Sequence, residues 1–118
     1  MTKGMPAQAK ALRIFIGEND NVDGRPLYEA IVLKAREMHI AGATVVRGAL
    51  GYGHSSRLHT VKILRLSEDL PLVIEIVDSE EKIESFLPVL DKLMSSGLVT
   101  IETVRVLQYG DRALKADG

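Results

Sequence analysis

The 118-residue sequence contains no cysteine. That absence removes disulfides, thiolate zinc sites and cysteine nucleophiles together, and it fits a reducing compartment, so a cytoplasmic location is expected. A charge excess is missing as well. Fifteen Lys and Arg side chains nearly cancel sixteen Asp and Glu, leaving a net charge of −1. The overall field therefore gives no reason to expect nucleic acid or an anionic membrane as the main partner, and any anion site has to be local. No apolar run approaches the length of a membrane span, and the opening MTKGMPAQAK is too short and too polar for a signal peptide. A catalytic set is also lacking. Ser55 and Ser56 stand beside His54, but adjacency in a loop does not supply the oriented third group that a working triad requires. Glu18, Asp20 and Asp23 read as a solvated acidic turn. Glu80, Glu81 and Glu84 read as the first turns of a helix, where the dipole favours them. The protein is therefore expected not to be an enzyme.

What is present is enough for one domain: 46% of the residues are hydrophobic, sufficient for a single two-layer core. Residues 1–10 are expected to form a flexible arm, residues 11–109 the domain and residues 110–118 a flexible tail. Within the domain, strand-like and helix-like segments alternate. ALRIFIGE (11–18) is a β-branched and aromatic run that stops at Gly, Asn and Asp, and so predicts a first strand. After the turn NDNVDGR, Pro26 suits the opening of a helix. Leu27, Ala30, Ile31, Ala35 and Met38 then recur at helical spacing, with an end expected near His39 because Gly42 lies just beyond. ATVVRGAL (43–50) and LPLVIEIVD (70–78) predict two more strands. Asp78 with Glu81 three residues on predicts a capped helix. Ile83, Phe86, Leu87, Leu90 and Met94 mark its buried stripe, Pro88 is expected to bend it, and Gly97 to end it. LVTIETVRVLQY (98–109) predicts the last strand.

This order gives an α+β fold, a ferredoxin-like split β-α-β sandwich with two helices on one face of an antiparallel sheet. An extended connection lies between the second and third core strands. It includes the strand-like TVKILRL (60–66), expected to run on into LPLVIEIVD through a kink rather than to insert a full strand, which would reverse the direction of everything downstream. Glu75 is the odd residue in an apolar strand. It is expected to face an edge or a subunit partner such as Arg47 or Arg65. The open face of the sheet predicts burial by self-association.

The most unusual stretch is GATVVRGALGYGHSSRLHT (42–60), where a good strand gives way to glycines, serines, histidines and an arginine. Close approach to a phosphate favours residues without a Cβ, and consecutive N–H groups in a tight turn form an anion trap. Gly51, Tyr52 and Gly53 suit that role, with Tyr52 able to stack on a base. His54, Ser55, Ser56 and Arg57 add donors, and Arg57 suits bidentate phosphate contact. The competing reading is that the glycines only permit a tight turn, because a lone Gly-x-Gly is weak evidence. His54 and His59 are five apart, but no cysteine or nearby carboxylate cluster completes a metal-ligand set, so no metal site is expected.

The runs RIFIGENDNVDGRPLYEAIV, AGATVVRGALGYGHSS and ILRLSEDLPLVIEIVDSEEKI together resemble the PII-like family known as domain of unknown function 190, within the nitrogen-regulatory PII superfamily. The resemblance covers residues 12–109. It implies a ferredoxin-like fold, a homotrimer with sheets facing inward and ligand sites in the clefts between subunits. It also implies an adenine nucleotide as one candidate effector, no required cofactor, and a loop that touches a protein target such as a transporter or channel. Thr44, Gly51, Tyr52 and Gly53 match the superfamily's strand and loop base. The ligand set expected here is Thr44, Gly51, Tyr52, Gly53, His54 and Arg57, with Arg105 contributed from the last strand. PII relatives carry a glycine-rich phosphate loop between the second helix and the last strand. Here that link is only Ser95 to Gly97, so a different or smaller effector fits as well as ATP. The alternative from another class is a structural or metal-binding trimeric module of the copper-tolerance type, with no nucleotide sensing.

Overall fold

The computed structural model describes residues 5–49 and 70–110. Its elements are β1 (Gln8–Gly17), β2 (Asn21–Val22), β3 (Arg25–Pro26), α1 (Leu27–Glu37), β4 (Ala43–Arg47), β5 (Pro71–Asp78), α2 (Glu80–Leu93) and β6 (Leu98–Arg105). The main sheet has the order β4-β5-β1-β6, with every neighbouring pair antiparallel. With both helices packed on one face, this is the expected split β-α-β sandwich. TVKILRL and the tail from residue 111 lie outside the described residues.

The core follows from alternation along the two central strands. Leu12, Ile14 and Ile16 of β1 stand opposite Ile76, Ile74 and Leu72 of β5. These six side chains are buried and meet Leu27, Ile31 and Ala35 of α1 and Ile83, Phe86 and Leu90 of α2. Complete burial of each large side chain contributes roughly 1.5–3 kcal/mol.

Several boundaries differ from the sequence reading, each for a local reason. β1 begins at Gln8, and Met5 is buried. Part of the segment expected as an arm is therefore strand, because Gln8, Ala9 and Lys10 find β6 partners in Arg105, Val104 and Thr103. The turn before α1 holds the small β2–β3 ladder, with Asn21 opposite Pro26.

Helix α1 ends through His39 itself rather than through Gly42. His39 takes φ +60°, its N–H bonds the carbonyl of Arg36, and the N–H of Ile40 bonds the carbonyl of Ala35. That is a Schellman ending with histidine in the position usually held by glycine. The Lys82 Nζ donates to the freed carbonyls of Met38 at 3.4 Å and His39 at 3.2 Å.

The cap of α2 is Ser79, one residue later than expected. Its hydroxyl accepts the Lys82 N–H. Asp78 is 3% exposed and its carboxylate accepts the N–H of Ser79 at 2.6 Å and of Ala41 at 2.8 Å. It thus ties the link before β4 to the link before α2. The helix ends at Leu93, ahead of Gly97. Gly97 serves the next turn instead: its φ is +129°, and a Cβ there would meet the Phe15 carbonyl oxygen at 2.9 Å. β6 stops at Arg105, and the chain then leaves the ladder.

Two substitutions test this core by chemical denaturation. Phe86→Ala, at a fully buried position, is expected to lower stability by about 3–5 kcal/mol. Asp78→Ala strands two backbone donors and is expected to cost about 1–3 kcal/mol; an unchanged midpoint would show that other groups hold them.

Candidate functional site

Arg47 is the last residue of β4, and Pro71 opens β5, so residues 48–70 form the connection that carries most of the expected ligand set. The base of this connection is built by three contacts. The Gly48 N–H donates to the Pro71 carbonyl at 2.7 Å, and the Glu18 N–H to the Leu70 carbonyl at 2.8 Å. The Arg47 guanidinium pairs with the Glu18 carboxylate. Gly48 is needed for the first of these, because a Cβ there would lie 2.9 Å from Pro71 Cγ. Just beyond Glu18, the Asp20 carboxylate accepts the Gly17 N–H at 3.0 Å, fixing the turn from which Glu18 projects.

Of the expected ligand residues, Gly51, Tyr52, Gly53, His54 and Arg57 lie outside the described residues, as does His59. Thr44 is exposed on β4, opposite Glu75 and on the face of the sheet away from α1 and α2. Arg105 is exposed at the end of β6, opposite Gln8. β4 and β6 are opposite edges of the sheet, so one chain does not bring Thr44 and Arg105 together. Among the described residues no group of three His, Asp or Glu side chains is placed to hold a metal ion, and no helix is long and apolar enough to cross a membrane.

Arg65 lies outside the described residues, and within the chain Glu75 turns to Arg13. Its carboxylate accepts from Arg13 Nε at 2.8 Å, because Arg13 stands directly across the ladder on β1. Glu102 on the opposite neighbour lies 3.3 Å from Arg13 Nη1. One guanidinium thus serves two carboxylates. The hydrogen bond to Glu75, then the charges of Glu102 and Glu75, raise the Arg13 pKa above its ordinary value. Arg47 is instead held by Glu18, a pairing the sequence reading missed because it joins distant turns.

A second feature missed in the sequence is the strap after β6. The Val106 N–H donates to the Ala7 carbonyl, and the Tyr109 hydroxyl donates to the Ala41 carbonyl at 3.1 Å, beside the far edge of the sheet. Residues 106–109 therefore cross the uncovered face. Ala9 and Ala11 are buried beneath them, small enough to admit a chain. A cavity of about 530 Å³ remains between strap and sheet, lined by Arg13, Glu75, Glu102, Val77, Val106 and Leu107 among others. Among the described residues, exposed apolar side chains gather on the two edges, at Val45 and Val46 of β4 and at Leu98, Val99 and Ile101 of β6, with Phe15 on the other face from the helices and Leu33 on α1.

The fold is shared with known proteins. The chain is similar to a Thermus thermophilus protein described as a PII-like signalling protein, with TM-score 0.61 and 18% identity over 85% of this chain and 90% of that one. It is also similar to CPII of Thiomonas intermedia K12 bound to ADP and bicarbonate, with TM-score 0.57 and 20% identity over 84% and 88% of the two chains. In sequence it is 41% identical to a UPF0166 protein of Aquifex aeolicus (strain VF5) over 83% of this chain and 92% of that one. A UPF0166 protein of Methanocaldococcus jannaschii is 38% identical over 84% and 92%. The model of the DUF190 family, described as Uncharacterized ACR, COG1993, matches residues 9–106. With nearly all of the described fold inside that match, the chain belongs to the DUF190 family and has a PII-like ferredoxin fold.

Proposed function

We propose that this protein is a cytoplasmic, PII-like regulatory protein that assembles as a homotrimer and takes a small anionic effector in the clefts between subunits. An adenine nucleotide is the first candidate for that effector. Binding orders the segment from Gly51 to His59 and changes the surface offered to a protein target, of which a transporter or channel is one kind. The switch is the difference in effector affinity between the two arrangements of that segment.

The observation that carries this reading is the placement of the two ends of the expected site. Thr44 and the loop base lie on one edge of the sheet and Arg105 on the other. They can serve one ligand only if the edges of two subunits meet. The exposed valines, leucine and isoleucine on both edges, together with Phe15, support such a meeting, since burying them removes apolar surface from water. The ADP in CPII, and the ADP and AMP in a second Thiomonas intermedia structure of CPII, support the choice of effector. Gly51, Tyr52, Gly53, His54 and Arg57 are the residues proposed to hold its phosphates and base.

Thermal-shift titration tests the proposal. ADP, AMP or ATP at a hundredfold excess over Kd is expected to stabilise the protein by about 2.7 kcal/mol, a rise of about 10 °C in Tm. Gly53→Val and Arg57→Ala are expected to abolish the shift. Silence toward all three nucleotides, with and without divalent metal, contradicts the proposal and favours a structural trimer.

A further inference from the structure

Glu18 occupies an unusual position at the loop base. Its backbone N–H holds the Leu70 carbonyl, on the returning leg of the connection, at 2.8 Å. Its carboxylate holds the Arg47 guanidinium, on the departing leg. One residue of the β1–β2 turn thus clasps both legs. The two partners of the ion pair are unequally covered: the Glu18 side chain is 22% exposed, whereas the Arg47 side chain is 60% exposed. The carboxylate reaches the Nη2 end of the guanidinium. A guanidinium carries five donors in a planar fork suited to two oxygens of a phosphate. Most of the Arg47 side chain is open to solvent beside the segment expected to receive an anion. The nearby acidic group, Asp20, is engaged by the Gly17 N–H. The pair is open to solvent on its guanidinium side, where a doubly charged competitor can contest it.

We propose that Arg47 is an anion-contacting residue of the loop base, and that Glu18 is the internal carboxylate its phosphate or pyrophosphate ligand displaces. Displacement breaks only the side-chain contact between Glu18 and Arg47, while the Glu18 N–H keeps the returning leg in place and the Gly48 N–H keeps its bond to Pro71. This rests on the reading of the protein as a sensor of small anions, and it adds the group that reports the anion's arrival.

The test is isothermal titration of ADP and, separately, of inorganic pyrophosphate into the full chain and into Glu18→Gln and Arg47→Gln, at low ionic strength. Circular dichroism melts confirm that each variant is folded. Removing the internal competitor is expected to tighten binding of both probes about two- to fivefold. Removing the guanidinium is expected to weaken both about tenfold or more. Unchanged affinities in both variants overturn this inference while leaving ADP binding, and the sensor reading, intact. Pyrophosphate binding that follows the two substitutions, with no ADP binding in any form of the protein, supports this inference and overturns the nucleotide reading. Silence of every form toward both probes overturns both.

Discussion

The ladder between β1 and β5 is the constraint on which the rest of the molecule depends. It sets Leu12, Ile14 and Ile16 against Ile76, Ile74 and Leu72 on one face, where the two helices seal them from water. Because side chains alternate along a strand, the same register puts Arg13 opposite Glu75 and Phe15 opposite Val73 on the other face. Among the described residues no helix packs on that second face. A strap of four residues crosses only the end near Ala9 and Ala11, leaving Phe15 and the edge residues Val46 and Leu98 exposed. The fold thus buries one side of its sheet within the chain and presents the other outward.

The loop base is a consequence of the same ladder. β5 brings Pro71 back beside Gly48, and the end of β1 brings Glu18 within reach of both legs of the connection. The position is fixed by backbone hydrogen bonds, while the Arg47–Glu18 pair is an electrostatic contact open on its arginine side, which the proposed anion contests. Rigid placement with a replaceable charge is what a sensing site requires. The proposed trimer extends this logic, since the opposite edge with Arg105 completes the cleft only when contributed by a neighbour.

The parts of this organisation that were legible in the sequence are those written in periodicity. Ile14, Ile16, Ile74 and Ile76 alternate, and Ile83, Phe86 and Leu90 fall at helical spacing, so the elements and their order follow from local pattern. What was not legible depends on contacts between distant residues or on a choice between adjacent ones. Asp78 and Ser79 are both good cap residues; the Ala41 N–H, supplied from another turn, draws Asp78 inward and leaves the cap to Ser79. His39 ends α1 by taking φ +60°, and Lys82 from the other helix then donates to its carbonyl. The Arg13–Glu75 pair needs the strand register, and the Arg47–Glu18 pair needs the whole sheet. The strap was hidden because Val106, Leu107 and Tyr109 continue the apolar pattern of β6 and so read as more strand. Of the candidate site, Thr44 and Arg105 could be named from the sequence, but their placement on opposite edges could not.

The central claim is that the anion site belongs to the boundary between subunits. Native mass spectrometry of the full chain, with and without ADP, tests it most directly. The account predicts a trimeric species that takes up ADP and no nucleotide on any residual monomer. A monomer that persists at high concentration, or one that binds ADP by itself, would contradict it.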